Sequence, residues 1–126
     1  MNLNEKLLEV IQSPPDSALT LVTQGPDGPH LVNSWKSYLQ FGQKGRLLFP
    51  AGGMEKTQAN LAINPAIQLS ISNRQVQGLS YLGTGFILAG EAVMETEGPD
   101  FDLVKARFPW ARAALAVTVL SARQTL

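Results

Sequence analysis

Apolar and polar positions alternate along much of this chain with the period of two that marks half-buried strands, broken by three short stretches of helical spacing. Asn4 to Gln12 places Leu7, Leu8 and Ile11 on one face, a short helix capped by Asn4 and ended by Ser13-Pro14-Pro15-Asp16. Ala18 to Thr23 (ALTLVT) predicts a first strand, and Gly25-Pro26-Asp27-Gly28-Pro29 a tight turn. His30 to Phe41 follows as a long second strand, forming a hairpin with the first. Gly42 to Gly45 turns again, and Arg46 to Phe49 (RLLF) gives a third strand that Pro50 closes.

Beyond Pro50 the pattern changes. Ala51-Gly52-Gly53 cannot hold a regular strand, Lys56 to Ile63 has helical composition, and Asn64-Pro65 stops that helix. Ala66 to Ser72 (AIQLSIS) alternates cleanly as a fourth strand, and Asn73 to Leu82 reads as a polar loop. Gly85 to Thr96 is a longer fifth strand, whose Gly85 and Gly90 predict the bends a barrel needs. Gly98-Pro99-Asp100 opens a helix running to about Phe108, and Ala113 to Leu120 (AALAVTVL) is the last strand. Six strands linked largely as hairpins, with helices as inserts, predict one mainly β domain over residues 1–126. A small antiparallel barrel fits that order better than a doubly wound sheet.

Composition narrows the chemistry. Charged residues make up 16% of the 126, well below the roughly 25% of an average soluble domain. Part of the surface is therefore expected to be covered, by self-association or by a bound apolar ring. Ten basic and ten acidic residues cancel, so no field recruits nucleic acid or an anionic membrane. The absence of cysteine excludes disulfides, thiolate metal sites and thiol catalysis. The single histidine, His30, excludes an all-histidine metal site within one chain, and after a turn it reads as a surface or strand-start residue. No stretch approaches the length of a membrane span and the charged N-terminus is no signal region, so a cytoplasmic location is expected. Glu91, Glu95 and Glu97 alternate on one face and read as solvated.

Two segments carry candidate chemistry. In Pro50-Ala51-Gly52-Gly53-Met54-Glu55-Lys56-Thr57 a strand ends, two glycines allow close approach of a ligand, and Lys56 and Thr57 open a helix. Free N–H groups and the positive end of the helix dipole then meet a lysine charge and a hydroxyl donor, the outline of a phosphate site. The spacing is neither a Walker A loop nor a dinucleotide fingerprint, and a plain strand–turn–helix connection with a solvated lysine is the competing reading. In Asn33-Ser34-Trp35-Lys36-Ser37-Tyr38, alternation puts Asn33, Trp35 and Ser37 on one face, with Ser34, Lys36 and Tyr38 on the other. Aromatics beside short polar side chains suit a planar heterocycle, or a half-buried strand with a core tryptophan. Trp110, after Phe108-Pro109, has the same two readings. No catalytic acid–base pair and no metal-ligand set stands out.

The runs QGPDGPHLVNSWKSYL (Gln24 to Leu39), GGMEKTQAN (Gly52 to Asn60), GTGF (Gly83 to Phe86), ARFPWARAAL (Ala106 to Leu115) and the ending SARQTL span nearly the whole chain in order. Together they resemble the small FMN-binding proteins of sulfate-reducing bacteria, within the pyridoxamine-phosphate-oxidase-like split barrels. The resemblance implies a six-stranded antiparallel Greek-key split barrel that forms a homodimer, with FMN held noncovalently near the interface. It implies that Lys56 and Thr57 hold the phosphate while Asn33 and Ser34 add polar contacts. Pro50, Ala51, Gly52 and Gly53 would line the isoalloxazine edge, with Trp35 against the ring and Tyr38 and Trp110 nearby. It also implies that Leu126 reaches across to shield the flavin of the partner subunit. Ser34 stands where the family has threonine, keeping the hydroxyl, and Lys36 where a neutral polar residue is usual. The implied role is electron transfer or small flavin reductase activity, with NAD(P)H or an unidentified redox partner. The chain is too short to carry the substrate-binding length of the full oxidases. The alternatives are a dimeric split-barrel binding module without redox turnover and a binder of a pyridoxal-phosphate-type ligand.

Overall fold

A computed structural model describes residues 4–126. Helix α1 (Glu5–Gln12) begins where the side chain of Asn4 accepts the Leu7 N–H at 2.7 Å, and it buries Leu7, Val10 and Ile11. Strands β1 (Ala18–Gly25) and β2 (Gly28–Trp35) form the expected hairpin, with Gly25 opposite Gly28. Then come the short β3 (Gln40–Phe41), β4 (Leu47–Ala51) and helix α2 (Glu55–Ile63). Strands β5 (Ala66–Gln77) and β6 (Leu82–Glu95), helix α3 (Pro99–Arg107) and strand β7 (Ala113–Gln124) complete the chain.

All strand pairs are antiparallel, in the order β2-β1-β5-β6-β7-β4-β3. Alternation decides which face is inside. Along β5, Ile67, Leu69, Ile71 and Asn73 are buried while the residues between them are exposed. The inward faces meet in one cluster that includes Leu47 and Phe49, next to one edge, and has Val32 of the other edge strand packed against it. The sheet therefore curls on itself, and α1 plugs the core. Each fully buried Leu or Phe side chain contributes about 1.5–3 kcal/mol. Strand β4 is buried on both faces, because a second cluster of Leu48, Val104, Phe108 and Ala114 fills the space under α3.

Three expectations need correction. There are seven strands, not six, because the long second strand breaks after Trp35 into a 3-10 turn over Lys36–Tyr38. The cause lies upstream: the Asp16 carboxylate accepts both the backbone N–H (2.9 Å) and the hydroxyl (2.7 Å) of Ser37, and Lys36 N–H donates to Ser17 O at 2.9 Å. These bonds outcompete a sheet ladder, so the alternation assigned through Ser37 and Tyr38 ends at Trp35. The polar loop expected over Asn73 to Leu82 is mostly strand, since β5 runs to Gln77 and buries Val76. Finally, Glu95 is not freely solvated: it pairs with Arg46 at 2.8 Å. Arg46 also binds the buried Asp100, which accepts the Gln43 N–H at 3.0 Å and fixes α3 against the entry to β4.

Candidate functional site

Strand β4 delivers the chain to Gly52 and Gly53, both exposed, and Met54 then turns it into α2 in a left-handed conformation (φ 62°). Side chains rarely adopt this backbone, and such strain tends to collect at functional loops. Met54 occupies the N-cap position, yet no side chain caps the helix there. The first backbone N–H groups of α2 are left open to an incoming acceptor. The more telling feature is Thr57, which is 1% exposed and whose hydroxyl oxygen has no hydrogen-bond partner. A buried hydroxyl left unsatisfied costs roughly 1–3 kcal/mol, so this one wants a ligand. Lys56 stands exposed beside it and Glu55 shares the first turn. The cradle thus combines a helix N-terminus, a buried donor and an exposed cation, a donor set suited to a phosphate.

Neighbouring residues hold the cradle in place. The Arg112 guanidinium donates to Gly53 O (3.0 Å from Nε) and to the Gln58 side chain (2.7 Å), while its backbone N–H donates to Ala51 O at 2.9 Å. Asn60, buried one turn further along α2, donates to the Thr23 hydroxyl at 3.1 Å and anchors the helix to β1. Gly52 lies close under the Trp110 ring: a Cβ there would lie 3.2 Å from it. Trp110 belongs to an aromatic group with Phe108 (5.6 Å between centroids) and Tyr38 (6.1 Å). Pro50, Ala51, Gly52, Gly53, Lys56, Thr57, Tyr38 and Trp110 therefore gather around one connection.

The remaining candidates sit differently. Trp35 is 47% exposed at the end of β2 and introduces the turn that carries Tyr38. Asn33 shares its outer face, but its amide is engaged with Leu19 O (3.3 Å) and the Thr20 hydroxyl (3.2 Å). Ser34 points to the opposite, core side and is buried. Among the described residues no hydrogen bond joins Asn33 or Ser34 to Lys56 or Thr57. Leu126 lies far away, beyond the end of β7. A cavity of about 560 Å³ is also at that far end, lined by residues of the β5–β6 connection and the C-terminus. Its buried polar groups are already satisfied: Thr84 accepts from Gln124 at 3.0 Å, and Asn73 donates to Ser13 O at 2.8 Å. It presents an apolar wall, whereas the cradle presents unmet donors.

Sequence reasoning passed over Arg112 and Asn60. Arg112 had one signal, a lone arginine between an aromatic cluster and the last strand; Asn60 had none. Exposed Asp16 and buried Lys36 both brace the turn. Hydrogen bonding from Ser37 holds the Asp16 carboxyl below its ordinary 3.8. The stability it adds is present above that value and is lost as pH falls through the lower folded one. Lys36 is 4% exposed, and its ammonium donates to Ser13 O at 2.6 Å. Burial pushes its pKa below 10.5, so the folded state holds its proton less tightly and stability rises with pH toward 10.5. Lys36→Met removes a buried charge and leaves Ser13 O still bonded to Asn73. The unfolding free energy from denaturant titration is expected to stay level or rise by about 1 kcal/mol, with the alkaline rise abolished. A loss of 3 kcal/mol or so would show the ammonium to be an essential tie.

Among the described residues no helix is long and apolar enough to cross a membrane. No family model matches the chain. Solved structures share its fold. HupZ from Group A Streptococcus superposes with a TM-score of 0.76 at 15% identity, covering 97% of this chain and 98% of that one. An FMN-binding protein from Syntrophomonas wolfei gives 0.71 at 18% identity, covering 97% and 85%. A pyridoxamine 5'-phosphate oxidase candidate from Lactobacillus delbrueckii gives 0.71 at 11%, covering 96% and 93%. The class is therefore a mainly β, antiparallel split barrel with short helices. Sequence narrows it further: the FMN-binding protein of Nitratidesulfovibrio vulgaris strain Miyazaki F is 48% identical over 111 residues, 88% of this chain and 90% of that one. The chain belongs to that FMN-binding protein family.

Proposed function

We propose that this chain holds FMN noncovalently and serves as a small flavin redox protein, an electron carrier or flavin reductase. The observation that carries the reading is the buried Thr57 hydroxyl without a partner at the open start of α2. A phosphate monoester carries about −1.5 to −2 charge at pH 7 and three acceptor oxygens. Thr57 donates its hydroxyl to it, the α2 N–H groups supply further donors, and Lys56 neutralises its charge. Arg112 contributes by holding Gly53 and Gln58 with three of its five guanidinium N–H groups.

The ring then lies along Pro50, Ala51, Gly52 and Gly53, where the glycines permit backbone contact and Trp35, Tyr38 and Trp110 offer apolar faces. Bound FMN supplies one- and two-electron redox chemistry. The protein orients the ring, excludes water from it and sets its electrostatic surroundings. The low charge content and the exposed Trp35 further support a homodimer in which Leu126 of the partner subunit approaches the ring. Purified protein is expected to be yellow with flavin absorbance bands, and titration with NADH and then NADPH separates a reductase from a carrier. A colourless protein whose tryptophan emission ignores added FMN contradicts the reading.

A further inference from the structure

Arg112 leads into β7 from a fixed root. Ala111 and Ala113 on either side of it are fully buried, the Ala111 N–H donates to Phe108 O at 2.9 Å, and Ala111 O accepts from the Lys105 ammonium at 2.8 Å. From that root Arg112 donates to the connection between β4 and α2 and to α2 itself. Its backbone N–H donates to Ala51 O at 2.9 Å, Nε (3.0 Å) and Nη2 (2.5 Å) both donate to Gly53 O, and Nη1 donates to the Gln58 side chain at 2.7 Å. Among the described residues no carboxylate forms an ion pair with the guanidinium. Its charge faces neutral oxygens alone.

These bonds decide which way two peptide groups face. In a planar trans peptide the N–H points opposite to the C=O. Ala51 O is turned to the Arg112 backbone, so the Gly52 N–H points away from Arg112. Gly53 O is turned to the guanidinium, so the Met54 N–H points away as well. Among the described residues neither N–H has a hydrogen-bond partner. The chain has little stiffness of its own here. Gly52 and Gly53 are exposed, and a Cβ on Gly53 would meet nothing within 4 Å, so packing does not hold that peptide. Met54 follows in its left-handed conformation. An unpinned loop of this kind has to be ordered by its ligand, at the expense of affinity, whereas a pinned one is ordered before the ligand arrives.

We propose that Arg112 is a positioning residue for the ring end of the flavin site, holding the Gly52 and Met54 N–H groups as a preformed donor pair for the carbonyl-bearing edge of the isoalloxazine. The inference rests on the flavin reading above. Part of the guanidinium's donor capacity is left over, so direct contact with the phosphate is the competing role. FMN and riboflavin separate the two, since both carry the ring and one carries the phosphate. Arg112→Met keeps the stem and removes every side-chain donor. It is expected to weaken both flavins about tenfold and by the same factor, leaving their ratio as in the wild type. Arg112→Lys, whose ammonium still donates to Gly53 O, is expected to regain most of that loss. A loss confined to FMN would place Arg112 on the phosphate and overturn the assignment, as would unchanged affinity for both flavins. Amide hydrogen exchange reads the donor pair itself. Saturating riboflavin is expected to slow exchange at Gly52 and Met54 about tenfold or more in the wild type and not in Arg112→Met. Exchange that riboflavin leaves unchanged at either residue of the wild type overturns the assignment, even if the variant fails to fold. These outcomes leave the flavin reading intact, whereas wild-type protein with no saturable binding of FMN or riboflavin overturns both.

Discussion

Replacing Lys56 by alanine is expected to weaken FMN binding roughly 30- to 100-fold, the equivalent of about 2–3 kcal/mol for a charge-assisted contact. Its ammonium is exposed and has no ion-pair partner among the described residues, so its removal costs the fold little. The effect therefore belongs to the ligand. Thr57→Val tests the other half of the grip, because valine keeps the shape and discards the hydroxyl. In the empty protein that exchange relieves an unsatisfied buried oxygen, so thermal stability without FMN is expected to hold or rise. Affinity for FMN is expected to fall about tenfold. Loss of affinity with gained stability is a combination that a purely structural threonine does not produce. Isothermal titration with the two variants reads the first quantity, and melting of the flavin-free protein reads the second. Unchanged FMN affinity in both variants would place the phosphate elsewhere.

The largest effect on folding is expected from Gly90→Ala. Between Ala89 and Gly90 the β6–β7 register slips, leaving Leu120 as the extra residue of a bulge. A Cβ on Gly90 would lie 1.9 Å from the backbone oxygen of Thr118. That neighbour is a main-chain atom inside the sheet, so relief requires the two strands to separate. The pair is central, with β6 flanked by β5 and β7 flanked by β4. A cost of about 3 kcal/mol or more is expected, measured as a drop in the urea midpoint or as loss of soluble protein. Gly53→Ala is the control, because no atom lies within 4 Å of the added methyl. Equal stability of the two variants would mean that β6 and β7 can part at the bulge without cost.

How far the sequence reveals this molecule depends on the range of the forces involved. The alternation of Ala66 to Ser72 announced β5 because each side chain reports its own face. The rest of β5 stayed hidden because Asn73 is a buried polar residue, satisfied by Ser13 O some sixty positions away. The break after Trp35 was equally invisible, since it is imposed by Asp16 from across the hairpin. In the site, Lys56 and Thr57 were legible as residues opening a helix after paired glycines. That Thr57, not Lys56, is the buried and unmet donor depends on packing, which no local pattern encodes. Arg112 was overlooked because its main partners are carbonyl oxygens of a distant loop, and backbone acceptors leave no trace in side-chain identity. Resemblance supplied what spacing alone left open between a phosphate cradle and a simple connection.

At the centre of the functional reading is the grip on a phosphate, and riboflavin offers the same ring without one. Titrating the flavin-free protein with FMN and with riboflavin, side by side, isolates that grip. FMN is expected to bind at least about 100-fold more tightly, as two or more charge-assisted hydrogen bonds require. Equal affinity for the two flavins would contradict it.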